Sequence, residues 1–211
     1  DVYKRQLPAE GDSVATMRGK ALDIANIDSY DSSNLPLHSV TIGGSLTGGV
    51  NVMTPVTGTI RYTNVLSSGD IRLDTAREIV VDGSIRSTLG SLSLYGANEY
   101  GVLVNIANTG SLRAKNDLSI SAVDEAQIIG KDVTYTADLG NIVLAAGREV
   151  NLRNSTLTAG GGINLLASNG RSVSALVDAQ GTMTAGTTLD VRAQNEGYLS
   201  LIHISEPTRP Y

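Results

Sequence analysis

The side chains able to do chemistry in this chain are few, and most are carboxylates: 21 Asp+Glu stand beside two His and no Cys. The missing Cys excludes disulfides, thiolate nucleophiles and Cys-ligated zinc or iron–sulfur centres. His38 follows Pro36-Leu37 in a loop-like stretch with no carboxylate pair close by, and no Ser-His-Asp set can be built without it. A solvated loop histidine is the plainer reading. Gly43-Gly44, Gly48-Gly49 and Gly160-Gly161-Gly162 lack the Lys-Ser/Thr of a phosphate-binding loop and the spacing of a dinucleotide site, so they read as chain corners. Asp124-Glu125 is a local pair on a turn and reads as a solvated corner rather than an acid/base dyad. Arg72 with Asp74 and Arg77 with Glu78 read as surface neutralisation. No Gly-Gly-x-Gly-x-Asp calcium repeat occurs, and Asn154-Ser155-Thr156 reads as a chance match to a glycosylation acceptor.

Carboxylates distant in sequence could still converge if the fold stacks them, which depends on the elements that carry them. Pairs of apolar residues separated by one residue recur along the chain: Ile71/Leu73, Leu92/Leu94, Leu118/Ile120, Ile142/Leu144, Ile163/Leu165 and Leu189/Val191. Their first members lie 21, 26, 24, 21 and 26 residues apart. A second ladder precedes the next pair by six or seven residues: Ile85, Leu112, Tyr135, Leu157 and Met183. A third runs through Ile79/Val81, Val104/Ile106, Ile128/Ile129, Val150/Leu152 and Leu176/Val177. Period-two alternation buries one side of each short strand. No window carries the spacing of a long helix.

The same residue type returns at the same phase of each repeat, as parallel in-register stacking requires. Length changes fall between strands, at 96–101 and 170–174, where a coil can absorb them. A sandwich would show an aromatic core and less regular spacing. The expected fold is therefore all-β: a parallel β-helix with three short strands per coil and about 21–26 residues per coil, right-handed as parallel crossovers prefer. Val50/Val52 and Ile60/Tyr62 continue the pattern upstream, more loosely. Such a narrow bore fills with Val, Ile, Leu and Ala, which fits a chain with no Phe and no Trp.

On this repeat the carboxylates can be tested for convergence. Asp70 aligns with Ser91, Asp117, Asn141, Gly162 and Thr188; Asp74 aligns with Tyr95, Ser121, Ala145, Leu166 and Arg192. Neither column holds an adjacent acidic pair. No residue is assigned a catalytic, cofactor-binding or metal-ligating role, no cofactor is called for, and the chain is expected not to be an enzyme.

The two ends stand apart. One back-translation of residues 1–6 is the reverse complement of one encoding residues 199–204, and both resemble translated sequencing-adaptor ends. Setting 1–6 and 199–211 aside leaves 7–38 as an irregular leading segment or partial coil and 39–198 as β-helix repeats. Without the two ends, 13 basic and 19 acidic residues remain. The net negative charge argues against nucleic acid as a partner, and no apolar run is long enough to span a membrane.

Residues 140–167 read Gly-Asn-Ile-Val-Leu-Ala-Ala-Gly-Arg-Glu-Val-Asn-Leu-Arg-Asn-Ser-Thr-Leu-Thr-Ala-Gly-Gly-Gly-Ile-Asn-Leu-Leu-Ala. This stretch resembles the repeats of filamentous haemagglutinin-type exoproteins, in which an Ala-Gly-[Arg/Lys]-x-Val-x-Leu segment leads through Ser-x-Leu-x-Ala-Gly-Gly to [Ile/Val]-x-Leu. The resemblance is recognisable over 69–193. It implies a structural, non-catalytic stalk segment of a large Gram-negative adhesin, extracellular or on the cell surface. Export would be by two-partner or autotransporter secretion, with an outer-membrane secretion partner for the full-length protein. A host-cell, matrix or carbohydrate surface would be its ligand. The alternative is a fragment of a β-helical polysaccharide lyase or hydrolase whose site lies on another face or outside this stretch.

Overall fold

Burial follows the alternation read in the sequence. In the computed structural model, Ser111–Ala114 runs half-buried, buried, exposed, buried, and Ile142–Ala146 runs buried, exposed, buried, half-buried, buried. The structure describes the backbone of residues 13–19, 22–25, 40–46, 50–54, 59–75, 78–81, 83–97, 110–123, 126–168, 175–194 and 198–204. Side chains are described over 65–73, 79–81, 83–96, 110–122, 126–168 and 175–194. Among these residues there are strands, turns and bends and no helix.

Every strand pairing is parallel, as expected when equivalent segments of successive coils stack. The chain is a β-solenoid. One 8-stranded sheet forms the first face, in the order Leu22–Ala25, Val50–Thr54, Ile71–Thr75, Leu92–Ala97, Leu118–Val123, Ile142–Ala146, Ile163–Ser168 and Leu189–Gln194. Its register pairs Ile71 with Leu92, Leu92 with Leu118, Leu118 with Ile142, Ile142 with Ile163 and Ile163 with Leu189, which is the first ladder read in the sequence.

The second sheet has 11 strands and wraps the other two faces. It can do so because Thr59–Ser67, Glu149–Ala159 and Leu176–Ala185 each run across a corner. In Glu149–Ala159 the first half pairs with Gln127–Lys131 and the second half with Thr134–Ala137, and the register shifts between Leu152 and Ser155. Strands at Ser13–Gly19 and Leu22–Ala25 join these two sheets from within 7–38, and Tyr198–Ile204 joins the second.

The core is one continuous stack. Ile71, Leu73, Leu92, Leu94, Leu118, Ile120, Ile142, Leu144, Ile163 and Leu165 fill it from the first face, and Ile79, Val81, Ile128, Val150, Leu152 and Val177 from the second. Stacked aliphatic chains of similar shape pack at crystal-like density with little side-chain entropy lost. Two details of the third ladder differ from the sequence reading. Ile129 and Leu176 point outward, and the inward partners of Ile128 and Val177 are Gly130 and Ala179.

Gly130 is inward opposite a ring that the bore holds among the described residues. Tyr135 is fully buried, paired in register between Leu112 and Leu157. A Cβ added at Gly130 would collide with the Tyr135 hydroxyl and lie 3.3 Å from Leu152 Cδ2. The aliphatic bore thus accepts an aromatic side chain only where the facing strand gives up its own.

Candidate functional site

The column most able to host carboxylate chemistry begins at Asp70. It lies at the corner where the third face turns into the first, just before each first-face strand. At five successive strand starts the inward residue donates its N–H to the next coil: Ile71 to Ser91 O, Leu92 to Asp117 O, Leu118 to Asn141 O, Ile142 to Gly162 O and Ile163 to Thr188 O, at 2.8–2.9 Å. The column residue's own N–H points back to the previous coil. There the chain is turning, and a side chain supplies the acceptor. Ser91 N donates to Asp70 Oδ1 at 2.7 Å, Asn141 N to Asp117 Oδ1 at 2.7 Å, and Gly162 N to Asn141 Oδ1 at 2.8 Å. Asn141 Nδ2 also donates to Asp117 Oδ1, at 3.2 Å.

Each acidic or amide side chain in the column is thereby committed to the next coil's backbone. These bonds cap the corners as Asp and Asn cap helix ends, by satisfying N–H groups that regular structure leaves over. The arrangement needs glycines beside it. Gly90 and Gly140 lie where an added Cβ would strike Asp70 Oδ1 and Asp117 Oδ1, and a Cβ at Gly162 would come within 2.7 Å of Thr188 Oγ1. The glycines of 160–162 are corner residues, as expected from sequence. Gly43-Gly44 lies at a different corner, between the second and third faces, where the register of Val40–Leu46 against Thr59–Ser67 shifts.

The corner between the second and third faces uses the same chemistry with a different backbone. Asp132 and Asn154 adopt left-handed φ values of 57° and 49°. Asp and Asn tolerate this region better than other non-glycine residues. Asn154 Nδ2 donates to Asp132 Oδ1 at 2.6 Å, so the two corners are clamped to one another. Asn154, met in the sequence only as part of a glycosylation-like triplet, is a corner residue. Buried Ser155 Oγ accepts from Val133 N at 3.4 Å and donates to Arg153 O at 3.1 Å. Buried Ser87 plays a similar part at the other corner, donating to Gly69 O at 2.7 Å and accepting from Gly90 N at 3.0 Å.

Charged pairs are on the surface. Arg113 grips Asp138 of the following coil bidentately, Nε to Oδ1 at 3.0 Å and Nη2 to Oδ2 at 3.2 Å, and Arg192 pairs with Asp190 on its own strand at 2.8 Å. The Asp74 column has the register expected of it, Tyr95, Ser121, Ala145, Leu166 and Arg192. His38, Arg77, Gly48-Gly49 and Asp124-Glu125 lie outside the described residues, as do the side chains of Asp74 and Glu78. Among the described residues no group of three or more His, Asp or Glu could hold a metal ion. Among them, too, no helix is long and apolar enough to cross a membrane.

Two buried polar atoms among the described residues lack a partner, Tyr135 Oη and Asn151 Oδ1. Burial pushes the Tyr135 phenol well above its ordinary range, so it stays protonated and has no base at hand to act through. What the geometry does chemically is satisfy its own corners. No known protein family, curated protein or solved structure matches the chain.

Proposed function

We propose that this chain is a structural, non-catalytic segment of a β-helical stalk belonging to a large exported adhesin or related exoprotein of a Gram-negative bacterium. One observation carries the non-catalytic part: Asp70, Asp117 and Asn141 are bonded to backbone N–H groups of the next coil at 2.7–2.8 Å. Displacing them to engage a substrate would break the stacking. A lyase or hydrolase working on an acidic polysaccharide needs the opposite, carboxylates free to exchange protons above a groove. The fold is consistent with a rigid spacer, because each coil contacts its neighbours in the same way and the rod lengthens without changing its cross-section. The surface location, the secretion route and an adhesive role rest on the likeness of residues 140–167 to haemagglutinin-type repeats.

The test has two arms. Incubating the purified chain with polygalacturonate, alginate and hyaluronate, while following unsaturated products and reducing ends, is expected to show no turnover; cleavage by a homogeneous preparation would overturn the non-catalytic reading. Sequencing outward on the parent genome is expected to find further coils and a secretion domain in the same frame. A compact frame ending within a few coils would overturn the stalk.

A further inference from the structure

The outward positions of the third face make a lattice that neither corner chemistry nor core packing requires. One column reads Ser84, Ser111, Thr134, Thr156 and Thr182, in direct register from coil to coil. The neighbouring column reads Arg86, Arg113, Thr136, Thr158 and Thr184. Three successive coils therefore present a two-by-three array of threonines. Thr134, Thr156, Thr158 and Thr182 are exposed, and Thr136 and Thr184 are half-buried. The inward residues beneath them, Tyr135, Leu157 and Met183, are buried, so the array stands on packed core.

Three properties set this surface apart from an ordinary polar face. Its six side chains carry no charge, and the charges that border it have partners: Arg113, in register with Thr136, is gripped by Asp138, and Asp132 accepts from Asn154 Nδ2. It is regular: the register shift in Glu149–Ala159 falls before Ser155, and from Ser155 to Ala159 the pairing is unbroken. It is fixed at both borders, by the Asp132–Asn154 clamp on one side and on the other by Gly160 N and Gly186 N, which donate to Ala137 O and Ala159 O at 2.9 Å. Threonine is β-branched, so its hydroxyl and methyl take few χ1 settings and stand ready-ordered on a strand.

Such an array repeats about 4.8 Å along the solenoid axis and about 6.6 Å along each strand. Both spacings lie within about a tenth of the oxygen repeats on a prism plane of hexagonal ice, given those strand dimensions. An uncharged, in-register grid of hydroxyls and methyls at these intervals can hold water in lattice positions, with hydroxyls bonding to it and methyls seated in its hollows. A charged surface would keep its own hydration shell instead. Among the described residues, the outward positions of the third face include no aromatic side chain, so a soluble sugar chain finds no stacking platform there.

We propose that the threonine lattice of residues 134–136, 156–158 and 182–184 binds ice. The inference does not depend on the stalk reading. The test uses the full 211-residue chain. Nanolitre osmometry and partition into a slowly growing ice hemisphere are expected to show faceted crystals with a freezing gap, and enrichment of the protein in the ice. Thr158→Lys, central in the array, and Thr182→Lys, at its edge, are each expected to abolish both signals with the circular dichroism unchanged. Ser119→Lys, on the first face, is expected to leave them intact. A folded chain excluded from ice overturns the proposal, as does ice activity that survives both threonine variants or is lost equally in Ser119→Lys. Retention on microcrystalline cellulose without ice activity overturns it too.

Discussion

Tyr135→Phe removes one oxygen from the bore, and the structure indicates that the fold is better without it. The ring is completely buried and its hydroxyl has no hydrogen-bond partner. A buried hydroxyl left unpaired costs about 1–3 kcal/mol relative to water. Phe keeps the ring and its contacts with Leu112 and Leu157 while dropping that cost, so Tyr135→Phe should stabilise the chain by about 1–2 kcal/mol. For a domain near this length, that raises the melting midpoint by about 2–4 °C per kcal/mol. The pH dependence gives a second readout. Burial raises the phenol pKa in the folded state, whereas the unfolded chain titrates near about 10. Stability from keeping Tyr135 neutral is fully present below pH ~10 and is lost as pH rises beyond it, by up to about 1.4 kcal/mol per unit. The Phe variant should lack this share of the alkaline slope. Urea unfolding of both proteins at pH 7 and at several alkaline values measures both effects. If Tyr135→Phe is destabilised at pH 7 by about 1 kcal/mol or more, the hydroxyl has a partner and the reasoning fails.

Four further perturbations probe the packing and the corners. Gly130→Ala places a methyl on the Tyr135 hydroxyl and should cost about 1–3 kcal/mol. In the Tyr135→Phe background most of that cost should vanish, because the next ring atom, Cζ, lies 3.4 Å from the new Cβ; additive losses in chemical denaturation would disprove the contact. Asn141→Asp sets a second carboxylate against Asp117 Oδ1 in place of the Nδ2 donor, and should lose about 1–2 kcal/mol at neutral pH. The repulsion raises carboxyl pKa values in the folded variant, so the loss should shrink as pH falls through the carboxylate range; a deficit independent of pH in thermal melts would argue against it. Ile120→Asp puts an unpaired charge into the stack at a position 1% exposed, and soluble folded protein on expression would contradict the assigned core. Arg113→Ala removes an exposed bidentate pair and should lower the unfolding free energy by less than about 1 kcal/mol in urea titration, whereas a larger change would mean the pair is structurally essential.

The coil period could be read from the sequence because the property being repeated is simple. Ile71, Leu92, Leu118, Ile142, Ile163 and Leu189 align at intervals of unequal length, and the structure pairs them in that order. The inward phase of a strand is a yes-or-no matter of apolar against polar, so it survives insertions elsewhere in the coil. The Asp70 column also aligns in the sequence, where its residue types show only how its acids are spaced. Its actual task, supplying acceptors to the next coil's N–H groups, depends on backbone direction at the corner, which residue types do not state. The third ladder shows another limit. Ile128-Ile129 and Leu176-Val177 each offer two adjacent apolar residues, so phase could not be settled by type. The side that turned inward was decided by Gly130 making room for Tyr135 and by Ala179 in the narrow bore.

The threonine columns stand in the sequence as Thr-Tyr-Thr-Ala, Thr-Leu-Thr-Ala and Thr-Met-Thr-Ala, in which the middle residue locates the core. In a solenoid the outward residue repeats as faithfully as the inward one, since both are locked to the same strand. Core packing constrains Tyr135, Leu157 and Met183 only loosely, allowing three different shapes at one phase. Their six outward neighbours are all threonine, although solvent would accept almost any polar residue there. A position that varies where packing should restrict it, flanked over three successive coils by threonine where packing is indifferent and the preceding coils carry Ser84, Ser111, Arg86 and Arg113, points to a requirement imposed from outside the fold. Structural economy alone would predict the reverse, and this is the physical ground for looking to the third face for what the rod touches.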